Sequence, residues 1–285
     1  MMDKAIEKAA VLIEALPYIK SFDQKIIVVK LGGSAMTDGK MLHSVVHDVC
    51  FMEQVGMRPV LVHGGGPKIS AAMEAAGITP RFVDGQRYTD EPTLQIAMKA
   101  LIDDLSADVV RRINAAGGAG LAVNGRDSDF LCGRKRAGKD LGLVGEVTGV
   151  NKALASRLLA GDIIPVVAPI ARGEDGTLYN VNADLAAARL AALLGAEKCV
   201  FLSNVPGILR NISDPDSLLS TVRAEDVRKL IAEKVISGGM LPKVEAGLAS
   251  IAAGVAKVHM ISGLIPHSLL LEIFTTRGVG TEIVA

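Results

Sequence analysis

Lys30, Asp184, Lys243 and two glycine-rich turns are the places where this sequence could do chemistry. Lys30 closes an apolar run, IIVVKL, and Gly32 and Gly33 follow at once. A second run, RPVLVH, leads into Gly64, Gly65 and Gly66, with Pro67 suited to the first turn of a helix. Glycines between a buried strand and a helix let an anion approach backbone N–H groups and the positive end of the helix dipole. Tight turns need glycine for other reasons too, but two such loops after successive strands favour anion binding. Neither matches GxxxxGKS/T or GxGxxG, so any phosphate held here is held by a different device. Arg87, in DGQRYTDEP, is either a solvated loop residue or a planar fork for a carboxylate. Asp184 ends NVNAD at the start of an alanine-rich helix, where it could serve simply as a favourable helix-start charge. Lys243 stands behind the glycine pair of ISGGMLPK.

The elements that position these residues follow from the apolar pattern. IIVVKL, RPVLVH, GLAVNG, DIIPVVAPIA, KCVFLSN and KVHMIS read as buried strands separated by helix-length segments, among them residues 40–55, ADLAAARLAALLGA and VEAGLASIAAG. That alternation predicts an α/β protein with a mostly parallel sheet covered on both faces. Ligands in such sheets sit beyond the carboxyl ends of the strands. The rule directs attention to residues 30–33, 63–66, 124–127 and 203–207. RGEDGTLY, residues 172–179, is the most turn-rich interruption and the expected boundary between two lobes. Ahead of the first strand, Ile6, Ala9, Ala10, Ile13 and Leu16 fall on one helical face that needs a partner, in its own domain or in another subunit. Pro17 is expected to interrupt or end that helix.

Composition narrows the function. The 285 residues carry 31 Lys+Arg against 31 Asp+Glu, a formal net charge of zero. That argues against a sequence-independent nucleic-acid binder, though not against a local cationic pocket. Hydrophobic residues are 49% and aromatics 3%, so the core is aliphatic. Cys50, Cys132 and Cys199 form no CxxC pair and read as reduced cysteines of a cytoplasmic protein. Acidic residues near the N-terminus and the lack of a sustained apolar stretch argue against a targeting peptide, and no run is long enough to span a membrane. His43, His47, His63, His259 and His267 make no metal or triad motif.

KLGGSAM, VHGGGP, NVNADLAA, SGGMLPKVEA and PHSLLLEIFTTRGVGTEI occur in an order, from Lys30 nearly to the C-terminus, that resembles the acetylglutamate kinases of the amino acid kinase family. The resemblance implies a three-layer α/β/α sandwich around a mainly parallel sheet, in two lobes. Residues 1–23 would be an N-terminal helix for oligomerisation and regulation, 24–178 an acetylglutamate-binding and dimerisation lobe, and 179–285 an ATP lobe. The implied reaction moves the γ-phosphoryl of MgATP to the side-chain carboxylate of N-acetyl-L-glutamate. It needs no enzyme nucleophile, because that carboxylate is ionised at neutral pH. Its difficulty is bringing an anion up to a polyanion.

By motif match, Lys30 and Lys243 would stabilise the transferring group and Asp184 would hold both ammonium groups. Gly32, Gly33, Gly65, Ser203 and Gly207 would line the phosphate and nucleotide site, while Gly65, Gly66, Arg87 and Asn180 would bind the acylamino acid. Mg²⁺ would be held mainly by ATP, with no dedicated protein ligands. The N-terminal helix resembles that of the arginine-inhibited members, in which it interlaces dimers into a hexamer. Tyr18, Glu272 and Gly278 would then lie near an L-arginine pocket, and a PII signalling protein, a partner in some lineages, becomes a candidate here. Three stretches depart from the family pattern: Asn204 stands where an aspartate is usual, and NGRDSD and MISGL are atypical. The rivals are a kinase of the same fold for another carboxylate or a carbamate, and a non-catalytic arginine sensor. The sensor reading predicts loss of a lysine or of Asp184, and all three are present.

Overall fold

IIVVKL forms the strand on which the rest is arranged. The computed structural model describes residues 2–33, 36, 38–275 and 278–285. Ser34 and Ala35 of the first glycine motif and Thr276 and Arg277 of the last motif lie outside the described residues. The first half of the chain runs α1 (Met2–Phe22), β1 (Ile26–Leu31), α2 (Gly39–Gln54), β2 (Arg58–His63), α3 (Gly66–Ala75) and a short hairpin, β3 (Phe82–Val83) with β4 (Gln86–Arg87). It continues through α4 (Glu91–Met98), a π-helical stretch Lys99–Ser106, α5 (Ala107–Ala115), β5 (Gly120–Val123), β6 (Leu131–Lys135), β7 (Val144–Val150), α6 (Lys152–Ala160) and β8 (Ile164–Val167). The second half comprises β9 (Ile170–Arg172), β10 (Leu178–Val181), α7 (Ala183–Leu194), β11 (Lys198–Ser203), β12 (Thr221–Arg223), α8 (Val227–Ala232), α9 (Leu241–Ala252), β13 (Lys257–Ser262), α10 (Ser268–Ile273) and β14 (Thr281–Val284).

One eight-stranded sheet, ordered β12-β14-β13-β11-β1-β2-β8-β5, runs through both halves. It is parallel from β13 to β5, and β14 turns the other edge antiparallel to β13. The α/β expectation therefore holds, as do all the strands named from apolar runs. Strand alternation explains the two cores. Ile27, Val29 and Leu31 face one cluster with α2 and the π-helical stretch, while Val28 faces the other with Ala186, Leu190 and Val244. Lys30 shares the face of Val28, and α7 packs directly against β1 there.

Several features depart from the sequence reading. β10, β7, β6 and β9 close into a small barrel beside the main sheet. Residues 173–177, inside the segment expected to separate the lobes, form the turn joining β9 to β10, which leaves that expectation open. Helix α1 does not stop at Pro17 but continues to Phe22. Proline there removes one i→i−4 bond, and the Ile13 carbonyl that loses its donor lies on a highly exposed turn where water can replace it. The apolar face of α1 is not packed on its own domain: Ile6, Ala9, Ala10, Ile13 and Leu16 are all exposed.

The 124–127 loop lies at the far edge of the sheet and serves the fold. Its Asn124 side chain accepts from the Arg126 and Asp127 N–H groups, and β9 passes directly over Gly125. A Cβ on Gly125 would sit 2.6–2.7 Å from the backbone of residues 170–172, which cannot rotate away. Gly125→Ala is expected to cost about 1–3 kcal/mol of stability, the scale of overpacking, read as a lower denaturant midpoint.

Candidate active site

Three segments meet beyond the carboxyl ends of β1, β2 and β11, where the strand order reverses. Lys30 comes from β1. Asp184 comes from the first turn of α7, which Asn182 caps by accepting from the Asp184 and Leu185 N–H groups. Lys243 comes from the first turn of α9, which packs alongside α7. The Lys30 Nζ lies 2.6 Å from Asp184 Oδ1, an ion-pair contact off the hydrogen-bond direction, and Lys243 Nζ donates to Oδ2 at 2.9 Å. Sequence separations of 154 and 59 residues are thereby reduced to one contact each.

Burial disfavours the charges of Lys30 and Asp184. Desolvation lowers the Lys30 ammonium below its ordinary range and Lys243 adds to the effect, with Asp184 opposing both. Burial alone would push the Asp184 carboxyl up; the two ammonium groups outweigh it and hold the carboxyl below its usual value. The cluster keeps one net positive charge.

Two cavities flank it. The first, about 340 Å³, is lined by Lys30, Gly33, Gly65, Gly66, Arg87, Asn180 and Asp184, among others. Gly65 is the N-cap of α3; a Cβ there would strike Leu101 and Leu105 at 2.6 and 2.7 Å, whereas Gly66 has open space where a Cβ would point. Arg87 is buried, and its Nη2 donates to Gly66 O at 3.0 Å and Ser70 Oγ at 2.8 Å. Its guanidinium also lies over the Phe82 ring. No carboxylate pairs with it among the described residues, and burial lowers its pKa. In this cavity Lys30 and Arg87 face Asp184, two positive charges against one negative, in a protein whose overall charge is zero. Such a pocket suits an anion, and the buried fork suits a carboxylate. Asn180 Nδ2 donates to Thr89 Oγ1 at 3.1 Å, which orients the amide in this cavity.

The second cavity, about 680 Å³, is lined by Ser203, Asn204, Gly207, Gly238, Gly239 and Lys243 with several apolar residues. Gly207 has φ +152°, and a Cβ there would meet Thr281 Oγ1 at 2.6 Å, so the close return of the chain requires glycine. Gly32 lines neither cavity; its N–H donates to Leu202 O at 3.1 Å. Residues 124–127 line neither cavity.

A third cavity, about 470 Å³, sits across the sheet edge and brings together Tyr18 of α1, Glu272 of α10 and Gly278. Glu272 is buried; His259 Nδ1 lies 2.6 Å from its Oε1, and the Val279 and Gly280 N–H groups donate to its Oε2. Those donors outweigh the desolvation that would raise its pKa and leave it lowered. Lys198, Lys257 and Glu282, with His259, complete the polar lining. Sequence reasoning missed these four, since nothing local marks residues brought together across β11, β13 and β14.

The sequence model of the amino acid kinase family matches residues 25–262, and the chain belongs to that family. It is 46% identical to the acetylglutamate kinase of Pelotomaculum thermopropionicum over 97% of this chain and 98% of that one. Identity to the acetylglutamate kinase of Acaryochloris marina is 46% over the whole of both chains. The activity class follows: a kinase acting on a carboxyl group. Among solved structures, the N-acetylglutamate synthase of Neisseria gonorrhoeae, complexed with coenzyme A and N-acetyl-glutamate, superimposes with a TM-score of 0.86 at 27% identity. The match covers 97% of this chain and 63% of the synthase, so this chain spans less than two thirds of that protein's length. The same synthase complexed with coenzyme A and L-arginine gives a TM-score of 0.82, over 97% of this chain and 65% of that one, at 27% identity.

His63, the last residue of β2, is fully buried beside the glycine turn, and burial lowers its pKa to about 4 from 6.5. Below pH 6.5 an unfolded chain binds a proton here that the folded one refuses. Stability should therefore fall as pH drops from about 6.5 to 4, by up to about 3 kcal/mol. Denaturant midpoints across that range are expected to fall less in His63→Gln than in the unsubstituted protein; parallel decline would contradict the assignment.

Proposed function

We propose that the chain transfers the γ-phosphoryl of ATP to the side-chain carboxylate of N-acetyl-L-glutamate, giving N-acetyl-L-glutamyl 5-phosphate for arginine biosynthesis. What carries the reading is the position of the Lys30–Asp184–Lys243 cluster, whose members line the two flanking cavities. The smaller cavity would hold the acylamino acid and the larger one the nucleotide. A substrate carboxylate oxygen attacks the γ-phosphorus, the bond to the β,γ-bridging oxygen breaks, and ADP leaves with that electron pair. Lys30 approaches the phosphoryl from the acceptor side and Lys243 from the nucleotide side. Asp184 keeps two like charges close enough to act together. Gly33 and Gly65 offer N–H donors to the phosphoryl oxygens, while Ser203 and Gly207 shape the nucleotide turn.

Arg87 would clamp the substrate's α-carboxylate, with Gly66 and Asn180 beside it. Mg²⁺ would arrive with ATP, without dedicated protein ligands, and would neutralise part of the phosphate charge. Residues 24–178 and 179–285 would act as acceptor and nucleotide lobes of one continuous sheet. The relatives named acetylglutamate kinase, similar over the full chain, support this substrate over another carboxylate or a carbamate.

We further propose that the third cavity binds L-arginine as a feedback inhibitor. Its lining carries both signs: Lys198 and Lys257 for a carboxylate, Glu272 and Glu282 for a guanidinium or amino group. His259 Nε2 is buried with no partner among the described residues, leaving an acceptor for an N–H donor. The gonococcal synthase, similar over nearly the whole chain, was crystallised with L-arginine. Tyr18 ties this cavity to α1, whose exposed apolar face would pair dimers into a hexamer. A PII signalling protein remains a candidate partner on the family resemblance alone.

An ATPase-coupled assay with N-acetylglutamate, glutamate and aspartate should show turnover with the acetylated substrate alone; turnover with free glutamate only would overturn the proposal. Lys30→Ala should lower kcat by about 10²-fold or more, the scale of losing one preorganised electrostatic group. Arg87→Lys should instead raise KM for N-acetylglutamate by roughly 10-fold or more, because a bidentate charged contact is lost. Deleting residues 1–22 is expected to abolish arginine inhibition while activity persists; unchanged inhibition would sink the regulatory assignment.

A further inference from the structure

The glycine turn after β2 is braced from behind by two side chains to which no role has yet been given. His63 Nδ1 lies 3.2 Å from Gly64 O, and Nε2 lies 2.7 Å from Ser106 Oγ. A carbonyl oxygen can only accept, so Nδ1 carries the proton and donates to Gly64 O. In the neutral ring Nε2 is then the acceptor, and the Ser106 hydroxyl donates to it. The depressed pKa of the ring agrees with this neutral form. The Gly64 carbonyl belongs to the same planar peptide unit as the Gly65 N–H, and a bond accepted at the oxygen makes that N–H a stronger donor. The Gly64 N–H is itself tied to Leu31 O at 2.9 Å, while no described group accepts from the Gly65 N–H.

The π-helical stretch Lys99–Ser106 supplies the other end of the brace. Its i→i+5 winding brings Ser106 toward the face of Leu101, and Leu101 and Leu105 close on Gly65 from the same side. Both His63 and Ser106 are fully buried, so neither can touch substrate from where it stands.

We infer that Ser106 and His63 form a positioning relay, hydroxyl to imidazole to peptide, that aims and polarises the Gly65 N–H for the anion in the first cavity. The inference rests on the proposed reading of Gly65 as a donor to the transferring phosphoryl. Neither residue enters the bond-making step; each acts through Gly65.

Two substitutions at His63 separate the relay from mere packing. Asn places a donor where Nδ1 stands but cannot reach Ser106, whereas Gln reaches toward Ser106 without a donor on Gly64 O. His63→Gln should lose about tenfold or more in kcat, with KM for both substrates within about threefold; a preorganised donor matters most in the transition state. His63→Asn, which keeps the donor on Gly64 O but severs Ser106, should recover part of that loss, to about the level of Ser106→Ala. Ser106→Ala should lose several-fold in kcat and Ser106→Thr, which keeps the hydroxyl, should not. With ¹⁵N-glycine labelling, the Gly65 amide proton should move upfield in His63→Gln and Ser106→Ala in the absence of substrates. Equal kcat in the Gln and Asn variants, a loss confined to KM, or an unmoved Gly65 amide would overturn the relay. Lys30→Ala run in the same assay separates the two layers: if it keeps kcat, the reading of the site falls, and if it loses kcat while His63→Gln does not, the relay alone falls.

Discussion

Two ammonium groups share one carboxylate at 2.6 and 2.9 Å, in a place where burial works against the charges of Lys30 and Asp184. Removing an ion from water costs several kcal/mol even after relaxation, and a well-packed apolar trio of the same volume would stabilise the fold at least as well. The arrangement makes energetic sense when a fourth charge completes it. Three groups whose formal charges sum to one positive, already aimed and with Lys30 and Asp184 already desolvated, need little reorganisation when an anion arrives. That is what phosphoryl transfer between two anions demands of a protein: position and neutralisation, with no covalent chemistry of its own.

The fold can be traced back from that contact. Alternation along β1 puts Lys30 on the face that α7 covers, and α7 and α9 begin side by side, so Asp184 and Lys243 meet where two helix N-termini add their own positive ends. Gly65 and Gly66 bring a third helix start, that of α3, to the same mouth. The sheet passes unbroken beneath both cavities, so the two sides of the cluster share one hydrogen-bonded surface. The third cavity lies at the β12-β14-β13 side of that sheet, walled by α1 and α10, and β11 and β13 lie between β1 and that edge.

Much of this was legible in the sequence because long apolar runs with glycine ends have few alternatives. β1, β2, β5, β8, β11 and β13 could all be named from their runs, and residues 30, 65, 87, 180, 184 and 243 do gather around one mouth. The barrel strands β6, β7 and β10 escaped because they are short or interrupted by glycines such as Gly133, Gly145 and Gly149, and half exposed. The π-helical stretch escaped because KALIDDLS has an ordinary helical pattern; only coordinates show the wider winding. Pro17 misled because one lost backbone bond kinks or weakens a helix without having to end it, and here the freed Ile13 carbonyl lies on an exposed turn that water can reach. His63 was visible as a residue but not as a group with a partner, since Ser106 lies 43 positions away.

A structure with magnesium, a non-hydrolysable ATP analogue and N-acetylglutamate bound measures the central claim most directly. The account predicts both Nζ atoms, of Lys30 and Lys243, within about 3 Å of oxygens on or bridging to the terminal phosphoryl, with Asp184 still between them. A terminal phosphate seated well away from either lysine, with the substrate carboxylate pointing elsewhere, would contradict it.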